Sequence, residues 1–222
     1  MFDLQRDGDV HVLRFDDDEN RFTPAFLDGF HEVLDTLEKA EGPGALVTVG
    51  TGKFYSNGLD LDWLSAHGDQ FEPYVGRIHR MFARLLTLPM PTVAAVNGHA
   101  FAGGAMLALA HDFIVMRSDR GYFCLPEVDL GISFTSGMGA LIQARLTAAT
   151  AHEATITGRR YPAEEAVTAG IVYQAVPEAE VLPRAVELAA SLAGKDGATV
   201  GKIRTGLYGA VIETLTDPAV LD

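Results

Sequence analysis

The chain has 222 residues, enough for one domain that buries about 70 to 75% of the surface its unfolded form exposes. With 48% hydrophobic and 21% charged residues it is neither disordered nor fibrous. Its 30 acidic and 17 basic residues leave a net charge of −13, which repels nucleic-acid backbones and anionic lipid, although local amides and a few lysines can still hold a small anion.

Residues 2 to 16 predict a hairpin, because the alternating segments FDLQ and VHVLRF flank the turn-rich Arg6-Asp7-Gly8-Asp9. Thr23 and Pro24 form an N-cap and first helical position, and Leu27, Phe30, Leu34 and Leu37 recur at helical spacing, so a helix should run to about Ala40. Gly42-Pro43-Gly44 ends it, and ALVTV reads as a strand buried on both faces. A helix within 71 to 88, stopped by Pro89 and Pro91, precedes TVAAV, then a helix after Gly103, then the strand DFIVM. Strands alternating with helices imply right-handed crossovers and a parallel sheet. From Thr135 the pattern is mostly helical, in segments near 135 to 145, 147 to 157, 162 to 169, 178 to 193 and 197 to 214. The expectation is an α/β core over 1–175 and a helical C-terminal segment over 176–222, either in the same domain or serving oligomerisation.

Cys124 is the only cysteine. No internal disulfide can form, and Phe123 and Leu125 mark the thiol as a small buried hydrophobe rather than a nucleophile. The N-terminal MFDLQRDGDVHVLRF has no apolar signal core, the final PAVLD matches no retention or peroxisomal address, and no apolar run reaches the roughly 18 residues of a membrane span. These features lead to the expectation of a cytoplasmic protein that engages neither nucleic acid nor membrane.

Several familiar sites fail on their spacing. GTGK at 50–53 lacks a phosphate loop's other residues, since Val47 and Phe54 stand where glycine and Ser or Thr are needed, and Tyr55 breaks a dinucleotide fingerprint. No serine has glycine two residues to either side, and the histidines form no metal-ligand pair, so no metal is expected. His99 and His111, flanking an apolar run, read as hydrogen bonders at helix ends.

The run NGHAFAGGAMLALAHD carries Gly103-Gly104 at the start of a strongly helical stretch, where glycine costs about 1 kcal/mol relative to alanine. Two readings follow: tight packing of a core helix on a strand, or close approach of a ligand to bare backbone. GKFYSNGLDL at 52–61 and FCLPEVDLG at 123–131 also lie near strand ends, where open α/β sheets bind ligands.

In this order and spacing, GKFYSNGLDL, LPMPTVAAVNGHAFAGG, AHDFIVMRSDRGYF and LPEVDLG resemble the crotonase (enoyl-CoA hydratase/isomerase) superfamily over essentially the whole chain, most closely from about 44 to 175. Within it they look most like the 3,2-enoyl-CoA isomerases of the plant peroxisomal type. The resemblance implies a crotonase-like fold of ββα repeats and stacked sheets, an acyl-CoA thioester substrate from fatty acid β-oxidation, no cofactor beyond the coenzyme A of that substrate, and a homotrimer or hexamer. It implies that the amides of Leu59 and Gly103 form an oxyanion hole for the thioester carbonyl, and that Glu127 is the acid–base group. Ser56, Asn57, Gly58 and Gly104 are implied in binding coenzyme A and the thioester.

Family hydratases carry two glutamates, and where the second would stand this chain has Met106. A single glutamate suffices to move a proton from C2 to C4 of a 3-enoyl thioester, so isomerisation is favoured, with hydration, another crotonase reaction such as decarboxylation, and a non-catalytic acyl-CoA-binding protein as the alternatives. Trp63, Leu64, Met106 and Phe134 are expected to line the acyl pocket. Asp60 is expected to cap a helix that holds the oxyanion loop. Asp129, given the same parity as Glu127 by strand alternation, is the one nearby acid that could replace the missing carboxylate.

Overall fold

The computed structural model describes residues 2–217, so the terminal PAVLD lies outside the described residues. The predicted hairpin pairs β1 (Phe2–Asp7) with β2 (Val10–Phe15), and Gly8 takes the left-handed turn at φ +58. α1 (Pro24–Leu37) starts where Thr23 Oγ1 accepts the Phe26 N–H, and it buries Phe26, Leu27, Phe30, Leu34 and Leu37 on one stripe. It is followed by β3 (Ala45–Gly50), β4 (Phe54–Ser56), α2 (Leu61–Ala66), α3 (Phe71–Thr87), β5 (Thr92–Val96), β6 (His99–Phe101), α4 (Gly103–Leu109), β7 (Phe113–Arg117), β8 (Phe123–Cys124) and α5 (Glu127–Leu130). The chain then runs through α6 (Ser136–Arg145), α7 (Ala148–Thr157), α8 (Ala163–Thr168), β9 (Gln174–Val176), α9 (Glu178–Leu192) and α10 (Gly197–Thr216).

The main sheet has the order β1-β2-β3-β5-β7-β9 and is parallel beyond the hairpin. A second, smaller parallel sheet, β4-β6-β8, supplies the stacked sheet that the resemblance implies, although the residue pattern alone marked neither β4 nor β6 as a strand. Each of β3, β5 and β7 leads into a strand of the small sheet and then into a helix, so the ββα unit occurs three times. FCLPEVDLG divides between β8 and the short helix α5, so strand alternation does not relate Glu127 to Asp129.

Period-two alternation sends successive side chains of the main sheet to opposite faces. Leu13, Phe15, Leu46, Ala94 and Ile114 join the larger core under α1, α3, α4 and α6. Val47, Val49, Val93, Ala95 and Val115 face the other way and are covered by Val181, Ala185, Ala189 and Ala193, spaced four apart along and just past α9. Burial on both faces explains why β3 reads as a continuous apolar run. α10 lies on α3 and α6 and sends Val211 and Leu215 into the larger core. The C-terminal helices therefore cover the same sheet and core that the first 175 residues build.

Candidate active site

The small-sheet ends of the three units meet around a cavity of about 430 Å³. Asn57 and Leu59 come from the loop after β4, Ala102 and Met106 from the start of α4, and Glu127 from the start of α5, while Val75 and Met138 close it from α3 and α6.

Three backbone amides of the loop after β4, those of Asn57, Gly58 and Asp60, have partners within the chain. Asn57 N–H donates to the Glu19 carbonyl, and Gly58 N–H donates to Ser56 Oγ at 3.1 Å. The Gly58 carbonyl accepts from Phe22 N–H at 2.8 Å, and Asp60 N–H donates to the Tyr74 hydroxyl at 2.9 Å. Among the described residues, Leu59 N–H meets no acceptor in the chain, and neither does Gly103 N–H. The two lie close: a Cβ on Gly58, which is left-handed at φ +75, would stand 2.6 Å from the Gly103 nitrogen, so glycine is needed there for conformation and for space.

Ala102 enters α4 at φ +51 and ψ −124, a conformation that costs about 1–3 kcal/mol without glycine. This turn stops β6 and opens the helix at Gly103. The packing reading holds for both glycines. A Cβ on Gly103 would stand 2.8 Å from the side chains of Leu59 and Phe22, and its N–H lies unmatched beside the loop after β4. Gly104 is a packing glycine, since a Cβ there would collide with the Ser56 carbonyl.

Glu127 is 7% exposed, and its Oε2 has no hydrogen-bond partner. Burial penalises the carboxylate and raises its pKa from the ordinary 4.5 to about 7. Met106, 1% exposed, lines the same cavity one helical turn into α4. The other carboxylate at the lining is Asp62, which is exposed and paired with Arg21 at 2.7 Å. Glu127 is therefore the one buried carboxylate there.

Several expected site residues stand elsewhere. Ser56 is fully buried, and its hydroxyl donates to the Asn20 carbonyl at 2.7 Å. Gly104 is buried against it. Asn57 stays at the cavity, although its side-chain amide donates to Glu19 Oε2 at 2.8 Å. Trp63, Leu64 and Phe134 pack partly buried against the core, outside the cavity lining. Trp63 stacks on His67 and lies against Tyr74, because the turn of α2 directs it away from the cavity.

Asp60 caps α2, accepting the Trp63 N–H, and its own N–H is tied to Tyr74. Asp129 is exposed beside Gly158, on the far side of α5 from the cavity. His111 donates from Nδ1 to the Leu107 carbonyl and accepts from Thr48 at Nε2, and burial lowers its pKa to about 4. His99 is packed among Phe54, Phe101 and Tyr122. Cys124 borders the cavity, but its thiol donates to the Gly158 carbonyl and burial pushes its pKa up to about 11, so it is no nucleophile.

Phe71, Val75, Ile132 and Met138 line the cavity and escaped the sequence reading. Phe71 opens α3 and remains 40% exposed at the cavity, a placement that its residue type does not reveal in the sequence.

Three ββα units whose ends surround a cavity holding one buried carboxylate define a crotonase-fold enzyme. The enoyl-CoA hydratase/isomerase family model matches residues 5–216. The peroxisomal enoyl-CoA delta isomerase 2 of Arabidopsis thaliana is 39% identical, over 94% of this chain and 92% of its own length. A putative enoyl-CoA hydratase of Thermus thermophilus is 35% identical over 84% of this chain and 75% of its own. The crystal structure of a probable enoyl-CoA hydratase from Mycobacterium tuberculosis superposes with a TM-score of 0.91 at 25% identity, covering 100% of this chain and 93% of that one. The chain belongs to the enoyl-CoA hydratase/isomerase family.

Proposed function

We propose that the protein is a 3,2-enoyl-CoA isomerase with Glu127 as its single proton shuttle. The observation that carries this reading is the pairing of one buried carboxylate, Glu127, with the thioether of Met106 in the same cavity. Two carboxylates could clamp and deprotonate water, whereas a cavity that offers one carboxylate and a thioether leaves water without a second partner. The delta-isomerase names of the Arabidopsis relatives agree with it.

In this mechanism the Glu127 carboxylate removes a proton from C2 of a 3-enoyl thioester. The electron pair of that C–H bond passes into the thioester carbonyl, giving a dienolate whose oxygen accepts from Leu59 N–H and Gly103 N–H. Such donors are worth about 3 to 4 kcal/mol each once charge develops on oxygen. Glu127, now protonated, delivers the proton to C4, and the double bond moves from C3–C4 to C2–C3. A pKa near 7 suits a group that must take and return the same proton. Coenzyme A enters as part of the substrate, and no other cofactor is invoked.

Glu127→Gln tests the assignment. Turnover of 3-hexenoyl-CoA should fall by about 10² to 10⁴, while butyryl-CoA affinity, by calorimetry, stays within a few-fold of wild type. Unchanged turnover would remove Glu127 from the chemistry.

A further inference from the structure

We infer that Tyr74 is a positioning residue for the oxyanion loop, its hydroxyl fixing the peptide planes on both sides of Leu59 so that the Leu59 N–H is aimed into the cavity. The inference rests on the role proposed for the Leu59 amide. Tyr74 lies on α3, is 2% exposed, and does not line the cavity. Its hydroxyl accepts the Asp60 N–H at 2.9 Å and donates to the Phe22 carbonyl at 2.9 Å. Phe22 in turn donates its own N–H to the Gly58 carbonyl at 2.8 Å. These bonds close a ring that runs from Gly58 through Phe22 and Tyr74 to Asp60.

The geometry of the trans peptide makes this ring directional, because the C=O and N–H of one planar unit point in opposite senses. Holding the Gly58 carbonyl toward Phe22 turns the Leu59 N–H the other way, and the Tyr74 bond to Asp60 fixes the next plane. Ser56 supports the loop from its other end by accepting the Gly58 N–H. The buried hydroxyls of Tyr74 and Ser56 thus consume the neighbouring amides and leave the Leu59 N–H for a ligand. Burial raises the Tyr74 phenol to about 12, so it remains a protonated donor across the working pH range.

A misaimed amide harms the charged dienolate more than the neutral ground state, so kcat should change and KM should not. In Tyr74→Phe the ring still packs beside Trp63, and only the hydroxyl is lost. Isomerisation of 3-hexenoyl-CoA should lose about 10- to 100-fold in kcat with KM within about 3-fold. Acetoacetyl-CoA, whose acidic C2 proton lets it bind as an enolate, should bind more weakly by a similar factor, and butyryl-CoA should bind as before. Ser56→Ala should give the same split in the same direction, and it decides the matter if Tyr74→Phe does not fold. The proposal is overturned if either folded variant loses thermal stability while kcat and the acetoacetyl-CoA to butyryl-CoA affinity ratio stay within about 2-fold of wild type. A wild-type protein that prefers acetoacetyl-CoA but does not isomerise would overturn the proposed function, and the affinity ratio alone would then decide the role of Tyr74. A wild-type protein without that preference would overturn both.

Discussion

Glu127 is held where folding works against its charge. Its pKa in the folded protein, about 7, lies above its ordinary 4.5, so the folded state binds the proton more tightly than the unfolded state does between those values. Its penalty is absent below pH 4.5, grows as the pH rises toward 7, and is complete above it. The shift corresponds to a cost on the order of 3 kcal/mol at pH 8. Glu127→Gln should therefore melt several degrees above wild type at pH 8 and level with it near pH 4.5. Equal melting at both pH values would show that the carboxylate is not desolvated as described. At this scale the family resemblance pointed to Glu127, Met106, Leu59 and Gly103, and the structure places the first three at one cavity with Gly103 packed against Leu59. Trp63, Leu64 and Phe134 were misplaced because apolar character does not reveal side-chain direction. On a six-residue helix such as α2, a small rotation decides between cavity and core.

At the scale of elements, the long periodic helices and the doubly buried strands could be read directly, from the Thr23 cap of α1 to the GATVGKIRTGLYG run of α10. The small sheet could not. β4, β6 and β8 span three, three and two residues, too few for a period to register, and β4 shifts register against β6 between Phe54 and Ser56. They are strands because the ββα units stack, which is a tertiary cause. Contact between α4 and β4 depends on a missing side chain at Gly104. Gly104→Ala must push the Ser56 carbonyl away, and overpacking of this kind costs about 1–3 kcal/mol. A lower urea midpoint with reduced isomerase activity is expected, because the displaced backbone leads directly into Gly58 and Leu59. A variant as stable as wild type would mean that the two elements have slack between them.

For the whole molecule, the site depends on a sheet covered on both faces and on α10 clamped across one end. Arg204, 5% exposed, pairs with Asp112 and also donates to the Leu88 carbonyl. Asp112 additionally accepts from Thr92 N–H at 2.8 Å, and Arg145 donates to the carbonyls of Leu109, His111 and Asp112 just past α4. Removing one partner of a buried pair leaves the other charge uncompensated, at about 3–5 kcal/mol. Asp112→Ala should approach that loss, whereas Arg204→Met should lose less, since Asp112 keeps Thr92 and some solvent. Chemical denaturation of the two variants gives the comparison, and the reverse order would contradict this account of the clamp. None of this long-range pairing was visible in the sequence, where 92 positions separate the two residues.

The central claim is that one buried carboxylate, sharing its cavity with Met106, shifts a double bond and does not add water. Its most direct measurement is the ratio of two rates with the purified protein, conversion of 3-hexenoyl-CoA to 2-hexenoyl-CoA against hydration of crotonyl-CoA. The account predicts isomerisation faster by at least about 10²-fold, the lower span of a missing acid–base partner, with Met106→Glu narrowing the gap by raising hydration. Rapid hydration of crotonyl-CoA by the wild-type protein, with 3-hexenoyl-CoA left unchanged, would contradict it.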